Sequence, residues 1–395
     1  MCGLLIDGER KSVEPMSERV NASERSMQRL LSQVQWDEQG VLSIFQERML
    51  AATSDSMGLF IFDDTSFPKK GRESACVARQ YCGATGKMDN CQIGVSMTYI
   101  GQGVAWPFGM KLFVPESWDC GDAECMRRRV KTKMPEWVRY RAKWRIALEL
   151  LDEANSRQVP HRGVLADSWY GSIPEFRQEL VRRGERYILG VYANTQVFFE
   201  PPMVEYAPQT EHKLGRPRKK AKVLAVNPEP VKVSAIGAAI TDDAWERLTI
   251  RCDSRNKPLV VEAVSLRVYP AHGWREGLVH EDVWLLIERR HLTKGEVELR
   301  YFFSNMPQTM PTLALARLNH ERYWIEHGYQ QLKEELGLDH HEGRSWLGWH
   351  RHVLLTFLAY GYLTLIRLEQ KKQQNLSMWR PWLLHRGILG KEYFF

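Results

Sequence analysis

The chain of 395 residues lacks the features that mark several large classes of protein. Its longest nearly uncharged run, residues 353–366, is shorter than the roughly 20 apolar residues of a membrane-spanning helix and contains Tyr360, Tyr362 and Thr364. The first ten residues show neither a long apolar segment nor a cleavage pattern, so they do not resemble a secretory signal. Seven cysteines without a paired C-x-x-C argue against a disulfide scaffold and a structural zinc site. These absences predict a protein of the reducing cytoplasm with no membrane partner.

The motifs of several enzyme classes are also missing. The sequence contains no H-E-x-x-H and no G-x-S-x-G. Residues 83–87, Gly-Ala-Thr-Gly-Lys, resemble a phosphate-binding loop only superficially. Tyr81 occupies the position of the first glycine of such a loop, and Met88 occupies the position of its serine or threonine. The sequence therefore argues against nucleotide hydrolysis.

Positive charge is in mild surplus and is clustered. Lys and Arg number 55 against 48 Asp and Glu, which gives a net charge of +7 and favours polyanionic partners. One cluster covers residues 127–133 and the other 213–222, whose Gly-Arg-Pro-Arg core is similar to an AT-hook that enters the minor groove. General attraction to phosphate and a solvated linker are the other interpretations of such runs. The cations predicted to bind DNA in these clusters are Arg127, Arg128, Arg216, Arg218, Lys219 and Lys220.

Four regions follow one another along the chain. Residues 1–53 have helical periodicity, with Asn21 and Glu24 at the spacing of a capping box, and form either a DNA-contacting unit or a bundle packed on the next domain. Residues 54–199 contain three adjacent strand patterns followed by alternating helix and strand. Residues 200–310 predict a β-rich insertion with a basic linker, and residues 311–395 return to helices. The fold class predicted is α/β, with a mixed sheet interrupted by the insertion.

Two apolar runs each end at an aspartate. Residues 58–62 lead to Asp63 and Asp64, and residues 163–166 lead to Asp167. Short apolar runs bounded by glycine are typical of buried strands, and an acid at the end of such a strand lies at the rim of the sheet. Because side chains alternate along a strand, only one of Asp63 and Asp64 can face a shared site.

A third acid lies on a helical pattern downstream. In residues 322–336 the apolar side chains fall on one stripe, and Arg322, Glu326 and Lys333 fall on a neighbouring stripe. Alone, this is the pattern of an amphipathic surface helix with an Arg–Glu pair. Together with two aspartates at strand ends, it favours three carboxylates that converge on Mg²⁺ or Mn²⁺, which prefer hard oxygen ligands.

These features resemble the DDE transposases of bacterial insertion sequences. Arg322, Glu326 and Lys333 match the signature Y-x2-R-x3-E-x6-K in spacing, whereas Asn319 stands at the position of the tyrosine. Further motifs similar to one group of these transposases cover most of the chain, at residues 63–71, 77–83, 90–92, 166–171 and 344–352.

The resemblance implies an RNase H-like catalytic core in which Asp64, Asp167 and Glu326 are the catalytic, metal-binding residues. Asp64 is preferred to Asp63 because it directly precedes Thr65, as the catalytic aspartate precedes threonine in related enzymes. Two ions are expected, Mg²⁺ or alternatively Mn²⁺. Cations of the matched motifs are predicted to bind DNA, and they are Arg322, Lys333, Lys69, Lys70 and Arg351.

The function that the resemblance implies is cleavage of DNA at the ends of a mobile element and strand transfer into a target. The partners expected are double-stranded DNA with terminal inverted repeats, target DNA and a second copy of the chain in a synaptic homodimer. The expected location is the bacterial cytoplasm, at the nucleoid. Two alternatives stay open: a structure-selective nuclease that cleaves without joining, and a DNA-binding derivative that has lost mobility.

Overall fold

The computed structural model describes residues 1–205, 222–224, 229–252, 257–273, 282–292 and 295–385. Four of the cations predicted to bind DNA, Arg216, Arg218, Lys219 and Lys220, lie outside the described residues.

Four helices open the chain, as predicted for residues 13–53. They are α1 (Cys2–Leu5), α2 (Val13–Arg19), α3 (Glu24–Ser32) and α4 (Glu38–Thr53). The residue that caps α3 is Ser23, whose side chain accepts a hydrogen bond from the backbone N–H of Ser26. The predicted cap, Asn21, was wrong: it lies in a turn at φ +48°, a left-handed conformation that asparagine tolerates.

The core follows as strands and helices close to their predicted positions. Gln102 and Gly103 both have positive φ, as a tight hairpin turn between β3 and β4 requires. The first helix after the hairpins that packs on the sheet begins at Lys143. The elements of the core are β1 (Leu59–Pro68), β2 (Ala78–Cys82), β3 (Lys87–Gly101), β4 (Val104–Leu112), α5 (Ala123–Lys131), α6 (Lys143–Ser156), β5 (Gly163–Ala166), α7 (Ser168–Gly171), α8 (Pro174–Arg182) and β6 (Tyr187–Val191).

The insertion is rich in strands, and helices close the chain. The described strands are β7 (Gln196–Phe198), β8 (Val204–Glu205), β9 (Lys222–Val223), β10 (Val231–Lys232), β11 (Glu246–Cys252), β12 (Pro258–Pro270), β13 (Val283–His291) and β14 (Val297–Ser304), with helix α9 (Val233–Ala239) among them. The closing helices are α10 (Thr312–His320), α11 (Tyr323–Gln330), a π-helical turn (Gln331–Glu335) and α12 (Trp346–His385). Within the described ranges, no helix combines the length and the apolar character needed to cross a bilayer.

One mixed sheet joins the core and the insertion. Its strand order is β10-β7-β12-β13-β14-β6-β5-β1-β3-β2, with β4 paired to β3 and β11 paired to β12. Strands β1, β5 and β6 are parallel, and β3 is antiparallel to β1. Strand β14 pairs with β6 from Ser304↔Ile188 to Tyr301↔Val191, so the insertion extends the core sheet at its edge. This mixed α/β sheet is the RNase H-like core expected from the sequence.

Helices cover the two faces of the sheet, and β1 is buried between them. Phe60 and Phe62 belong to the apolar cluster that includes side chains of α6 and α8. Leu59 and Ile61 belong to a separate cluster that includes side chains of α10 and Ile325 of α11. Odd-numbered side chains at this point of β1 therefore face α11, and even-numbered side chains face α6.

Candidate active site

Strands β1 and β5 bring two aspartates together where the two strands separate, although β1 does not stop at the aspartates as predicted and continues to Pro68 beside β3. The strands are parallel with Ile61 opposite Leu165. Asp63 follows Ile61 by two positions, and Asp167 follows Leu165 by two positions. The two aspartates therefore occupy neighbouring positions where the strands separate. The charge of Asp167 acts on Asp63, which agrees with this placement.

Helix α11 lies over this part of β1. Ile325 is buried in the apolar cluster beneath the helix. The hydroxyl of Tyr329 donates to the backbone carbonyl of Asp63 at 3.3 Å and also contacts the hydroxyl of Ser96 on β3. The neighbouring stripe of the helix faces outward, where Arg322 Nη2 donates to Glu326 Oε1 at 3.1 Å and 60% of the Glu326 side chain is exposed. The packing stripe and the polar stripe predicted for this helix are both present.

A cleft of about 610 Å³ runs between the insertion and α11. Asp167, Arg322 and Glu326 line it together. Nη1 of Arg322 and Nε of Arg290 are buried and have no hydrogen-bond partner among the described residues. Buried N–H donors without acceptors are costly, so an anionic ligand with several acceptor oxygens, such as a phosphate group, suits this cleft.

The two neighbouring aspartates of β1 differ in their partners. Asp64 accepts hydrogen bonds on both oxygens, from the hydroxyl of Tyr170 at 2.7 Å and from the ammonium group of Lys143. Asp63 accepts a hydrogen bond from the backbone N–H of Asp64 at 2.9 Å. The odd-numbered position of Asp63 directs it to the face that carries α11. The even-numbered position of Asp64 directs it to the face that carries α6, and its assignment as a catalytic residue stays a prediction.

Electrostatics separate the same two residues. Burial raises the pKa of Asp63 to about 7; Arg322 opposes this rise, and the charges of Asp167 and Asp64 add to it. Burial also raises the pKa of Asp64, but the charge and hydrogen bond of Lys143 oppose it directly. Asp63 is therefore the desolvated carboxylate whose charge is less well compensated.

The acids at the rim fit a divalent cation in part. Asp63 and Asp167 are neighbours whose negative charges raise each other's energy, and a cation relieves such a repulsion. Glu326 is instead turned toward Arg322. Across the ranges that the structure describes, no three or more His, Cys, Asp or Glu side chains are arranged closely enough to hold a metal ion. A three-carboxylate site would require the Glu326 side chain to rotate away from Arg322.

Three predicted DNA-binding lysines lie on the π-helical turn or just after β1. Lys333 is partly buried in the π-helical turn, and burial lowers its pKa although Asp339, Cys82 and Asp63 oppose the shift. Lys69 donates from its ammonium group to the carbonyl of His341, and burial lowers the pKa of Lys69 as well. Lys70 is exposed at the end of β1. Of the three, Lys70 is the most accessible to a DNA backbone.

The other arginines predicted to bind DNA that lie within the described residues differ in how far they are held by neighbouring groups of the protein. Arg127 is exposed and pairs with Glu124 one turn away. Arg128 stacks over the ring of Trp118, 4.1 Å from its centroid, and donates to backbone carbonyls. Arg351 is 2% exposed. Its guanidinium donates to Glu38 and to the carbonyl of Leu30, and it ties α12 to the N-terminal helices, so it is not accessible to DNA.

Sequence reasoning missed one buried acid in the cleft. Glu288 of β13 is 1% exposed and accepts hydrogen bonds from Asn319 Nδ2 at 2.9 Å and from the ring of His320 at 3.1 Å. Asn319 is the residue that replaces the signature tyrosine, and the structure gives it this local role. Glu288 follows the apolar run 285–287, which is the same signal that drew attention to Asp64 and Asp167.

Residues 1–257 match the family described as DDE superfamily endonuclease, and the chain belongs to this family. The match includes Asp63, Asp64 and Asp167 and ends before Glu326. Among curated proteins, the chain is similar to the probable transposase for insertion sequence element IS701 of Microchaete diplosiphon. The two are 27% identical over 202 residues, which cover 50% of this chain and 49% of that protein. The chain thus spans about half the length of this relative.

Proposed function

We propose that this protein is a DNA transposase that cleaves strands at the ends of a mobile element and transfers them into target DNA. The observation that carries the proposal is the meeting of Asp63 and Asp167 where the parallel strands β1 and β5 separate, beneath the helix that carries Arg322 and Glu326. Family membership and the similarity to an IS701 transposase support the same class of reaction.

In this proposal the acid set is Asp63, Asp167 and Glu326. Asp63 takes the place first given to Asp64, because Asp63 shares the face of α11 and Asp64 is paired with Lys143. A bound pair of divalent ions, Mg²⁺ or Mn²⁺, would activate the attacking water or 3′-hydroxyl and stabilise the leaving 3′-oxygen. Glu326 would have to leave Arg322 to join the two aspartates.

The protein's own contribution is to bind and orient the scissile strand. Arg322 and Arg290 line the cleft, and guanidinium groups suit the oxygens of a phosphodiester. Release of Glu326 would free Arg322 Nη2 for the same phosphate. Phosphodiester transfer depends mainly on such positioning and charge neutralisation, so no covalent intermediate with the protein is required.

The partners proposed are double-stranded DNA with terminal inverted repeats, target DNA and a second copy of the chain that brings the two element ends together. Lys69, Lys70, Lys333, Arg127 and Arg128 are proposed to contribute to phosphate contacts, as are Arg216, Arg218, Lys219 and Lys220 of the basic linker. Arg351 is excluded because it is buried against Glu38.

The reaction products test this function. Duplexes made from the DNA that flanks the gene are incubated with the protein and Mg²⁺, beside a circular target plasmid. We expect strand breaks that leave a 3′-hydroxyl at the boundary of an inverted repeat, followed by joined products in the target. Breaks without joining would identify the structure-selective nuclease instead. Binding with neither breaks nor joining would identify a derivative without mobility.

A further inference from the structure

The carboxylate of Asp64 has no role in the site proposed above, although it is largely buried and holds two partners at the rim of the sheet. We propose that Asp64 is a positioning residue that fixes Asp167 in place through Tyr170. The inference rests on the proposed function, since it gives Asp167 the role of an ion ligand.

A continuous chain of hydrogen bonds joins the two acids. The hydroxyl of Tyr170 donates to Asp64 Oδ1 at 2.7 Å. The backbone N–H of Tyr170 donates to Asp167 Oδ1 at 3.2 Å, and the N–H of Trp169 donates to the same oxygen at 3.0 Å. One residue thus connects the carboxylate of β1 to the carboxylate that follows β5.

The helix that holds Asp167 needs such an anchor. Asp167 caps α7, which is only four residues long. A single helical turn has too few internal hydrogen bonds to be stable alone, so its position depends on tertiary contacts. Tyr170 supplies these contacts, because its ring is 1% exposed and packs against Phe62 and Phe176. Its hydroxyl adds the directional contact to β1 that fixes the rotation of the turn.

Lys143 completes the arrangement by balancing the charge of Asp64. Its ammonium group bonds Asp64 Oδ2 and lies 4.4 Å from the centroid of the Trp169 ring. Both oxygens of Asp64 are therefore occupied, one by a cation. In this state Asp64 is not a competing ion ligand, and both aromatic residues of α7 are held from the same side.

Groups that orient a metal ligand have measurable effects on ion affinity. Their removal typically weakens metal binding by about 10-fold to 100-fold. Since Asp64 acts on Asp167 through an intermediate residue, we expect an effect at the lower end of this range, about 10-fold.

The test is the affinity of the DNA-free protein for Mn²⁺, measured by titration calorimetry, so that no cleavage activity enters the readout. Tyr170→Phe and Asp64→Ala are each expected to weaken Mn²⁺ binding by about 10-fold. The double variant Asp64→Ala/Tyr170→Phe is expected to bind Mn²⁺ no more than about twofold more weakly than either single variant, because all three variants interrupt the same series of hydrogen bonds. Asp64→Asn keeps an acceptor for the tyrosine hydroxyl and should remain within about threefold of the original protein.

The outcomes separate this inference from the proposed function. Wild-type Mn²⁺ affinity in Tyr170→Phe would overturn the inference, and so would a loss in Asp64→Asn as large as that in Asp64→Ala. Thermal unfolding without metal shows whether each variant is folded, and Tyr170→Phe carries the test if Asp64→Ala is not. Asp63→Asn is the control for the proposed function and is expected to lose at least about 100-fold in affinity. Unchanged affinity in that control would reject Asp63 as a ligand whatever the Tyr170 result.

Discussion

Asp63 and Asp64 are consecutive residues of one strand, and burial raises the pKa of both, yet they differ in the groups that oppose this rise. Asp64 is buried with its charge compensated by Lys143 and its second oxygen bonded to Tyr170. Asp63 is buried beside other acids, and its pKa rises to about 7. A compensated carboxylate serves the fold, whereas an uncompensated one costs stability and is suited to bind a cation. The contrast teaches that the partners of a buried acid, rather than its burial, indicate its role.

The largest effect expected is on strand cleavage. Asp63→Asn should slow single-turnover cleavage of a labelled duplex by at least about 10³-fold, which corresponds to roughly 4 kcal/mol, because an ion ligand is lost. Asp64→Asn should slow it by less than about 10-fold. Fluorescence anisotropy should show duplex affinities within about threefold of the original for both variants. A larger loss in Asp64→Asn than in Asp63→Asn would reverse the comparison.

Glu288 offers a second buried acid whose partners are known. Glu288→Ala removes the acceptor of Asn319 and His320, so we expect the free energy of unfolding to fall by about 3 kcal/mol. The matched control is Glu298→Ala on the adjacent strand, where 39% of the side chain is exposed and the pair with Arg300 measures 3.1 Å. That control should lower the free energy of unfolding by less than about 1 kcal/mol. Urea unfolding at pH 7 measures both, and equal losses would contradict the distinction.

Metal-free stability should change to different degrees when the two aspartates are replaced. The pKa of Asp63 is about 7 in the folded protein and lower in the unfolded chain, so the folded state retains a proton that the unfolded state releases. Stability is therefore lost as the pH rises from about 4 to 7. Asp63→Asn removes this loss and should stabilise the protein by about 2 kcal/mol at pH 8, with no gain at pH 4. Asp64→Asn should give a smaller gain at pH 8, because Lys143 opposes the rise that burial causes in the pKa of Asp64.

Urea unfolding in the presence of a chelator at the two pH values measures these differences. Millimolar Mg²⁺ should remove the advantage of Asp63→Asn at pH 8, because an ion that binds only the folded state adds stability to the original protein. A destabilised Asp63→Asn at pH 8 without metal would show that its carboxylate is compensated after all.

The smallest effect expected concerns two cations first assigned to DNA. Lys70→Ala should reduce the slope of log affinity against log salt by about 1, because one phosphate contact is lost from an exposed side chain. Arg351→Ala should leave the slope unchanged while lowering thermal stability, since its partners are Glu38 and Leu30. Duplex binding across a salt series measures both. An altered slope in a folded Arg351→Ala protein would return that residue to the DNA surface.

Much of the fold was predictable because its signals are local. The turn at Gln102 and Gly103, the short apolar runs of β1 and β5, and the packing stripe beneath α11 all depend on residues close in sequence. Similarly, the motif around Glu326 placed the third acid on a helix. The cap of α3 was missed by two residues because Ser23, close to Asn21, caps the helix instead.

The faces of β1 to which Asp63 and Asp64 point could not be predicted from the sequence. Residues 59–62 are all apolar, so alternation along β1 gives no indication of which face carries α11. The side of the strand that faces the site depends on the packing of Ile325, more than 250 residues later in the chain. Burial of Arg351 is a similar long-range effect, since its acidic partner Glu38 lies near the other end of the chain.

The pairing of β14 with β6 has a consequence during synthesis. Strand β6 ends at Val191, but its neighbour β14 begins only at Val297, and the helix bearing Glu326 emerges after that. A ribosome must therefore translate the whole insertion before the sheet gains this edge and before α11 exists. Nascent chains that stall earlier would carry Asp63, Asp64 and Asp167 without the helix that packs over this part of β1.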